Sequence, residues 1–382
     1  MLLALAAAIG LAFLLAWANG ANDVSRGIAT LVGSGVTNYH RAVLWGAAWT
    51  IAGGLAAAAA SQGLAATFAG KGFLGAPVES PAFLSAVALG AIAWVSFAAR
   101  MGLPVSTTHS IVGALAGAAV MAQGFSGLHW GFVAKKVALP LLLSPALALA
   151  AIYALLPLMR PLLARVDRYC LCLERRVALV TYGAAAVGGG VLETAVVGRE
   201  EECVSSAAVA GRLNLVDGLH WFSSGLTSFA RALNDTPKIV ALGLASSALF
   251  GVSSFSFYAG VALAMGLGSL VAGFRVTETL ACRVTPMSPT EGFSANLVTS
   301  LLVGLASARG LPVSTTHVSS GAIIGIGLQG SRDAGGLAVP QTARSRTVRW
   351  GTVRSMAAAW LVTLPAAGLV AAGAFALLET LL

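Results

Sequence analysis

The chain has 382 residues, of which 57% are hydrophobic and only 10% charged, with a net charge of +9. Soluble domains carry about a quarter charged residues, so this balance and a mean hydropathy of +0.85 exclude a water-exposed globular surface and indicate a polytopic membrane protein. The pI near 9.9 does not imply nucleic acid, because few aromatics interleave with the basic residues to stack bases; Lys and Arg in loops facing anionic membrane lipid account for it.

In chain order, the apolar run from Leu2 lacks a basic leader and flows into "NGAND", so it is expected to remain as a first helix, Leu2–Gly20. Further spanning candidates are Ala42–Ala60, Val137–Leu156, Leu215–Leu233, Ser254–Phe274 and Met356–Leu378, each near the roughly 20 apolar residues that a bilayer requires. Two segments read differently. Ala82–Ala99 and Ile111–Ala122 flank "RMGLPVSTTH", and Phe293–Ala308 and Val318–Leu328 flank "RGLPVSTTH", with no hydrophilic loop in either case. Arms this short around a buried turn predict re-entrant helical hairpins, at about 81–125 and 290–328.

Between these blocks, Arg165–Arg212 holds "RVALVTY", "GGVLETAVV" and "REEECV", which predict short strands and turns in a small cytoplasmic insert, 161–212. A spanning helix through Val177–Val197 is the rival reading. Cys170, Cys172 and Cys203 make only a weak metal or redox pattern, and free thiols are the simpler reading.

The chain is two copies of one plan, 1–160 and 213–382. "ANGANDVSRGIATL" recurs as "FARALNDTPKIVAL", offset by 212 from Asp23 to Asp235. The Pro phrase recurs with an offset of 208 from Pro104 to Pro312, and "WGFVAKK" as "WGTVRSM" with one of 220 from Trp130 to Trp350. Three phrases in one order at nearly one spacing define an internal repeat. Basic residues cluster at Arg160, Arg165, Arg168, Arg175 and Arg176, and again at Arg332, Arg344, Arg346, Arg349 and Arg354. Placing both clusters in the cytoplasm puts both termini outside and makes the copies run in opposite directions. The expected fold is therefore an all-α polytopic membrane protein of two inverted-topology repeats, each with a re-entrant hairpin.

Acids are scarce, so Asp23 and Asp235, at matched positions after Asn22 and Asn234, mark function. Their oxygens are hard ligands suited to Na⁺ or to proton relay. The plainer reading is capping of a helix break, or pairing with Arg26 and Lys238 three residues on. Ser106, Thr107, Thr108 and Ser314, Thr315, Thr316 begin helices after Pro104 and Pro312. There Ser caps well, and free N–H groups at a helix start suit an oxyanion. Asn296, with Thr299 and Ser300, is a further binding candidate on the second hairpin, where copy one has Ala86. Arg100 and Arg309 precede the two turns and either raise the local potential or snorkel. His109 and His317 invite a Ser-His-Asp hydrolase reading, but no nucleophile elbow exists and the constellation occurs twice. No enzyme activity is expected, and the two histidines have no assigned role.

"NGANDVSRGIAT", "LNDTPKI" and two copies of "GLPVSTTH" resemble the inorganic phosphate transporter (PiT) family across nearly the whole chain. The resemblance implies cation-coupled uptake of inorganic phosphate with Na⁺ or H⁺, no organic cofactor, and commonly a homodimer. It assigns the cations to Asn22, Asp23, Asn234 and Asp235, and phosphate to the two Ser-Thr-Thr runs. Ala86 and Asn296 stand where many members carry an acid, so stoichiometry and ion stay open. A sulfate permease and a passive anion channel are the alternatives.

Overall fold

The apolar runs fold as helices that stop where the sequence supplies caps. The computed structural model describes residues 2–60, 62–76, 78, 80–182, 185–199, 209–335 and 348–381. Copy one comprises α1 (Leu2–Asp23), α2 (Ser25–Gly33), α3 (Tyr39–Ala60), α4 (Gln62–Phe68), α5 (Pro81–Met101), α6 (Thr107–Gln123) and α7 (Leu139–Val166). Copy two comprises α8 (Leu215–Val240), α9 (Leu244–Leu249), α10 (Ser254–Ala272), α11 (Phe274–Cys282), α12 (Pro289–Ala308), α13 (Thr315–Gly335) and α14 (Trp350–Leu381).

Each Pro phrase is a helix stop followed by a helix start. Gly102 and Gly310 take φ of 69° and 65°, the left-handed conformation that ends a helix and that glycine adopts without a Cβ penalty. The amides of Leu103 and Leu311 then reach back to Ala98 O and Ala306 O, both at 2.9 Å. Pro104 and Pro312 hold the next residues extended. Ser106 and Ser314 close the phrase by accepting the His109 and His317 N–H at 3.1 and 3.2 Å.

Packing exchanges partners between the copies. α1 packs on α10, and α8 on α3; α14 closes on α5 and α6, and α7 on α12 and α13. Within the copies, α1–α5 matches α8–α12. Small residues allow close approach: a Cβ on Gly117 would lie 2.1 Å from Gly368 O, and one on Gly113 would lie 2.3 Å from Leu364 O.

Six stretches among the described residues are long and apolar enough to cross a membrane: Leu5–Gly33, Tyr39–Ala60, Ala82–Met101, Trp130–Val166, Ser254–Ala272 and Trp350–Leu381. Two expectations need correction. The first arm of hairpin one is not too short, because α5 runs on through Arg100 to Met101 and spans 21 residues. Leu215–Leu233 is not among the apolar spans. Its helix α8 continues to Val240 and buries His220, Ser224, Ser228, Arg231, Asn234 and Asp235 against its neighbours, so polarity on the protein-facing side takes the place of apolarity.

The insert forms an antiparallel sheet of order β2-β1-β3, with β1 at Tyr169–Tyr182, β2 at Ala185–Arg199 and β3 at Val209–Asn214. Tyr169 pairs with Arg199 and Tyr182 with Ala185. The strands are thus long rather than short, and the pairing excludes a helix through 177–197. α7 takes the first residues assigned to the insert, up to Val166. Cys170 and Cys172 are buried on one side of β1 with sulfurs 3.3 Å apart. Cys203, Arg344 and Arg346 lie outside the described residues.

The α6–α14 contact yields a stability prediction. Gly117→Leu forces a side chain into the facing backbone and should cost about 1–3 kcal/mol, read as a lower melting temperature in detergent. Gly373→Ala on the same α14, where a Cβ meets nothing within 4 Å, should leave that temperature unchanged.

Candidate functional site

Asn22 and Asp23 close α1, and the chain turns at Val24 before Arg26 enters α2. The copy-two counterpart differs. α8 does not end at Asn234-Asp235 but runs through Pro237 to Val240. In both copies Asp and the cation three residues on face the same way, one helical turn apart. Asp23 Oδ1 lies 3.1 Å from Arg26 Nη2, and Asp235 Oδ1 lies 3.0 Å from Lys238 Nζ.

These cations also hold the Pro phrases. Arg26 donates through Nη2 to Val105 O at 3.1 Å, in hairpin one, and through Nε to Thr316 Oγ1 at 3.1 Å, in hairpin two. Lys238 mirrors it, donating to Val313 O at 3.3 Å in hairpin two and to Thr108 Oγ1 at 2.6 Å in hairpin one. Thr316 Oγ1 donates to Val105 O at 3.0 Å, and Thr108 Oγ1 to Val313 O at 3.3 Å. Val105 and Val313 follow the prolines, and their carbonyls lie ahead of a helix start, where no helical amide claims them. The two helix starts are thereby tied to each other across the copies.

The carboxylates gather further donors. Asn19 Nδ2 donates to Asp23 Oδ2 at 2.7 Å and to Asp235 Oδ2 at 3.3 Å, and Thr107 Oγ1 donates to Asp23 Oδ2 at 3.0 Å. Asn22 Nδ2 donates to Asp23 Oδ1 at 2.6 Å and to Val105 O at 2.7 Å. That fixes its amide orientation and leaves Asn22 Oδ1 buried without a partner. Asn234 Oδ1 instead accepts from Lys238, while its Nδ2 donates to Ser307 Oγ at 2.9 Å. Arg231 completes the group, with Nη1 on Asn19 Oδ1 at 2.9 Å and Nη2 on Thr50 Oγ1 at 2.6 Å.

Every member of this cluster is 8% exposed or less. Isolated ions at this depth cost several kcal/mol each in desolvation, so the ladder of pairs and hydrogen bonds is required for the fold. Three buried cations (Arg26, Arg231, Lys238) face two buried carboxylates (Asp23, Asp235), an excess of one positive charge. Beside them, the first two amides of each second arm, at Thr107, Thr108, Thr315 and Thr316, have no acceptor among the described residues. Such amides at a helix start carry the positive end of the helix dipole. Excess positive charge and open amides are the chemistry with which a helix start holds an oxyanion.

The expected residues are not equally placed. Ser106 and Ser314 are helix caps, and Thr107, Thr108 and Thr316 are in the cross-tied network. Asn296 is not drawn into it: its Nδ2 donates to Thr30 Oγ1 at 2.8 Å and Gly27 O at 3.3 Å, joining α12 to α2. The rings of His109 and His317 meet with centroids 4.4 Å apart and planes tilted by 43°, and Trp360 meets His317 at 4.2 Å, tilted by 42°, while donating to Pro104 O. Arg100 lines a cavity of about 530 Å³ with Arg275 and Trp17, and Arg309 lines an apolar one of about 410 Å³. Asn19 and Arg231 were missed by the sequence reading. They are themselves separated by 212, each four residues before its Asp, so the repeat offset carried the signal.

Removing one partner of a buried ion pair strands the other, at about 3–5 kcal/mol. Asp235→Asn and Lys238→Met should each lose stability on that scale. The double variant should lose clearly less than the two together, as measured by a double-mutant cycle on chemical or thermal unfolding in detergent.

The phosphate transporter family model matches residues 19–371. A "Probable low-affinity inorganic phosphate transporter" of Rhizobium meliloti (strain 1021) is 26% identical over 370 residues, covering 95% of this chain and 93% of its own. A protein of the same description from Mycobacterium bovis is 28% identical, covering 94% and 74%. Among solved structures, "The sodium-dependent phosphate transporter" aligns with a TM-score of 0.73 at 21% identity, over 99% of this chain and 100% of that one, a likeness of fold. With the family model spanning nearly the whole chain, the hydrolase reading falls away, and this multi-span membrane protein belongs to the phosphate transporter family.

Proposed function

We propose that the chain takes up inorganic phosphate by cation-coupled alternating access, with the anion held between the starts of α6 and α13. The observation that carries this reading is the set of four open amides beside a cluster with one excess positive charge. A tetrahedral oxyanion offers several acceptors at once, and the hydroxyls of Thr107, Thr108, Thr315 and Thr316 add donors that can be exchanged from their present partners. Family membership and the names of the relatives support phosphate over sulfate.

The residues of the site are buried in this conformation, so ligand entry requires the two hairpins to part. Thr316 Oγ1 to Val105 O and Thr108 Oγ1 to Val313 O bridge the hairpins directly, and Arg26 and Lys238 each hold one residue of both hairpins. Exchanging them for contacts with the anion gives substrate binding a differential affinity for an open and a closed state, which population shift requires. The exchanged contacts between copies support inverted repeats, and the positive-inside bias supports a cell-membrane orientation with both basic clusters on the cytoplasmic side and both termini outside. Homodimer assembly belongs to the same proposal. For the driving ion, the partnerless Asn22 Oδ1 beside Asp23 supports a Na⁺ ligand set in copy one, as does the sodium named in the solved neighbour; H⁺ is the alternative.

The test is uptake of labelled phosphate by proteoliposomes with Na⁺ and pH gradients imposed separately. Accumulation above equilibrium is expected under one of them, unlabelled sulfate should not compete, and Asp23→Asn should lower the rate by about tenfold or more, equivalent to some 1.4 kcal/mol. Equilibration alone, insensitive to Asp23→Asn, means a passive channel.

A further inference from the structure

The two Asn-Asp sites are not equivalent, and the difference lies in what fills them. In copy two, four oxygens converge on one point: Asn234 Oδ1, Asp235 Oδ1 at 3.0 Å, Thr108 Oγ1 at 2.6 Å and Val313 O at 3.3 Å. A carboxylate, an amide carbonyl, a hydroxyl and a backbone carbonyl are the hard donors that an alkali cation takes. Lys238 Nζ occupies that point, 0% exposed, with the ring of Phe68 at 5.8 Å closing the remaining side. In copy one the corresponding cation is a guanidinium. It spreads its contacts over Asp23, Val105 O, Thr316 and Ser25 and leaves Asn22 Oδ1 open.

We propose that Lys238 is a tethered cation standing permanently in the second of the two expected cation sites, so that the chain binds at most one Na⁺, at Asn22 and Asp23. Asn234 and Asp235 then serve as the counter-ion and anchor of Lys238. The physical reason is exclusion. An ammonium and a free cation cannot share four oxygens without strong repulsion at low dielectric, and the covalent tether gives the ammonium an effective concentration that dissolved Na⁺ does not match. The inference rests on the transport reading only for its consequence, which is one coupling Na⁺ per cycle in place of two.

The experiment uses the purified full-length chain in detergent, titrated with NaCl against choline chloride at constant ionic strength and pH, with no phosphate present. For wild type, stabilisation should grow with Na⁺ as RT ln(1 + [Na⁺]/Kd) for one ion, or not respond to Na⁺. Lys238→Gln vacates the oxygens and should gain a Na⁺-dependent stabilisation beyond that of wild type, whereas Lys238→Arg should keep the wild-type response. A Lys238→Gln response identical to wild type overturns the proposal, as does wild-type binding of about two Na⁺ per chain. If Lys238→Gln does not fold, equilibrium binding of radioactive Na⁺ to wild type still decides between one site and two. Failure of phosphate uptake would sink the transport reading alone, since this titration contains no phosphate.

Discussion

The structure depends on a pair of carbonyls, Val105 O and Val313 O, each left open by a proline phrase and each claimed by a buried cation. A backbone carbonyl at membrane depth must find a donor. Arg26 and Lys238 supply it, and they also reach the threonine of the opposite hairpin. Their charge is tolerable only because Asp23 and Asp235 lie one turn away. Those carboxylates are tolerable in turn because Asn19, Asn22 and Thr107 donate to them. Each cost is met by the next contact, and the chain of contacts closes across the two copies.

Such a cluster needs helices close enough to exclude water, and the glycines supply that closeness. Gly20, Gly53 and Gly268 lie against the backbone of Met265, Phe229 and Trp17, where a Cβ would meet a carbonyl oxygen at 2.0, 2.3 and 2.1 Å. These contacts draw α1 onto α10 and α3 onto α8, the pairs that carry Asp23 and Asp235. Symmetry is then broken at several points. Asn19 in copy one matches Arg231 in copy two, Arg26 matches Lys238, and the ring of Trp360 lies against His317. The first supplies the excess positive charge, and the second gives the copies different cations.

Much of this was legible in the sequence because duplication reveals itself by offset. The Asn-Asp pairs, both Ser-Thr-Thr runs and the arms around Gly102 and Gly310 follow from residue type and repeat spacing. Less was legible where polarity served packing. α8 reads as an ordinary apolar span until its buried face is seen, since Ser and Thr are mild in hydropathy and a single Arg231 does not interrupt the run. The strand lengths in the insert depended on pairing between β1 and β2, which no local pattern encodes. The contact between His109 and His317 was invisible, because it requires the two copies to meet.

The account stands on the claim that an oxyanion is bound by the open starts of α6 and α13. A structure of the full chain with bound phosphate, or with arsenate as its isostere, tests this most directly. The account predicts density within hydrogen-bond distance of the Thr107, Thr108, Thr315 and Thr316 amides, with at least one tie between a cation and the opposite hairpin exchanged for the anion. Density only in the cavity beside Arg100 and Arg275, with the four amides still empty, would contradict it.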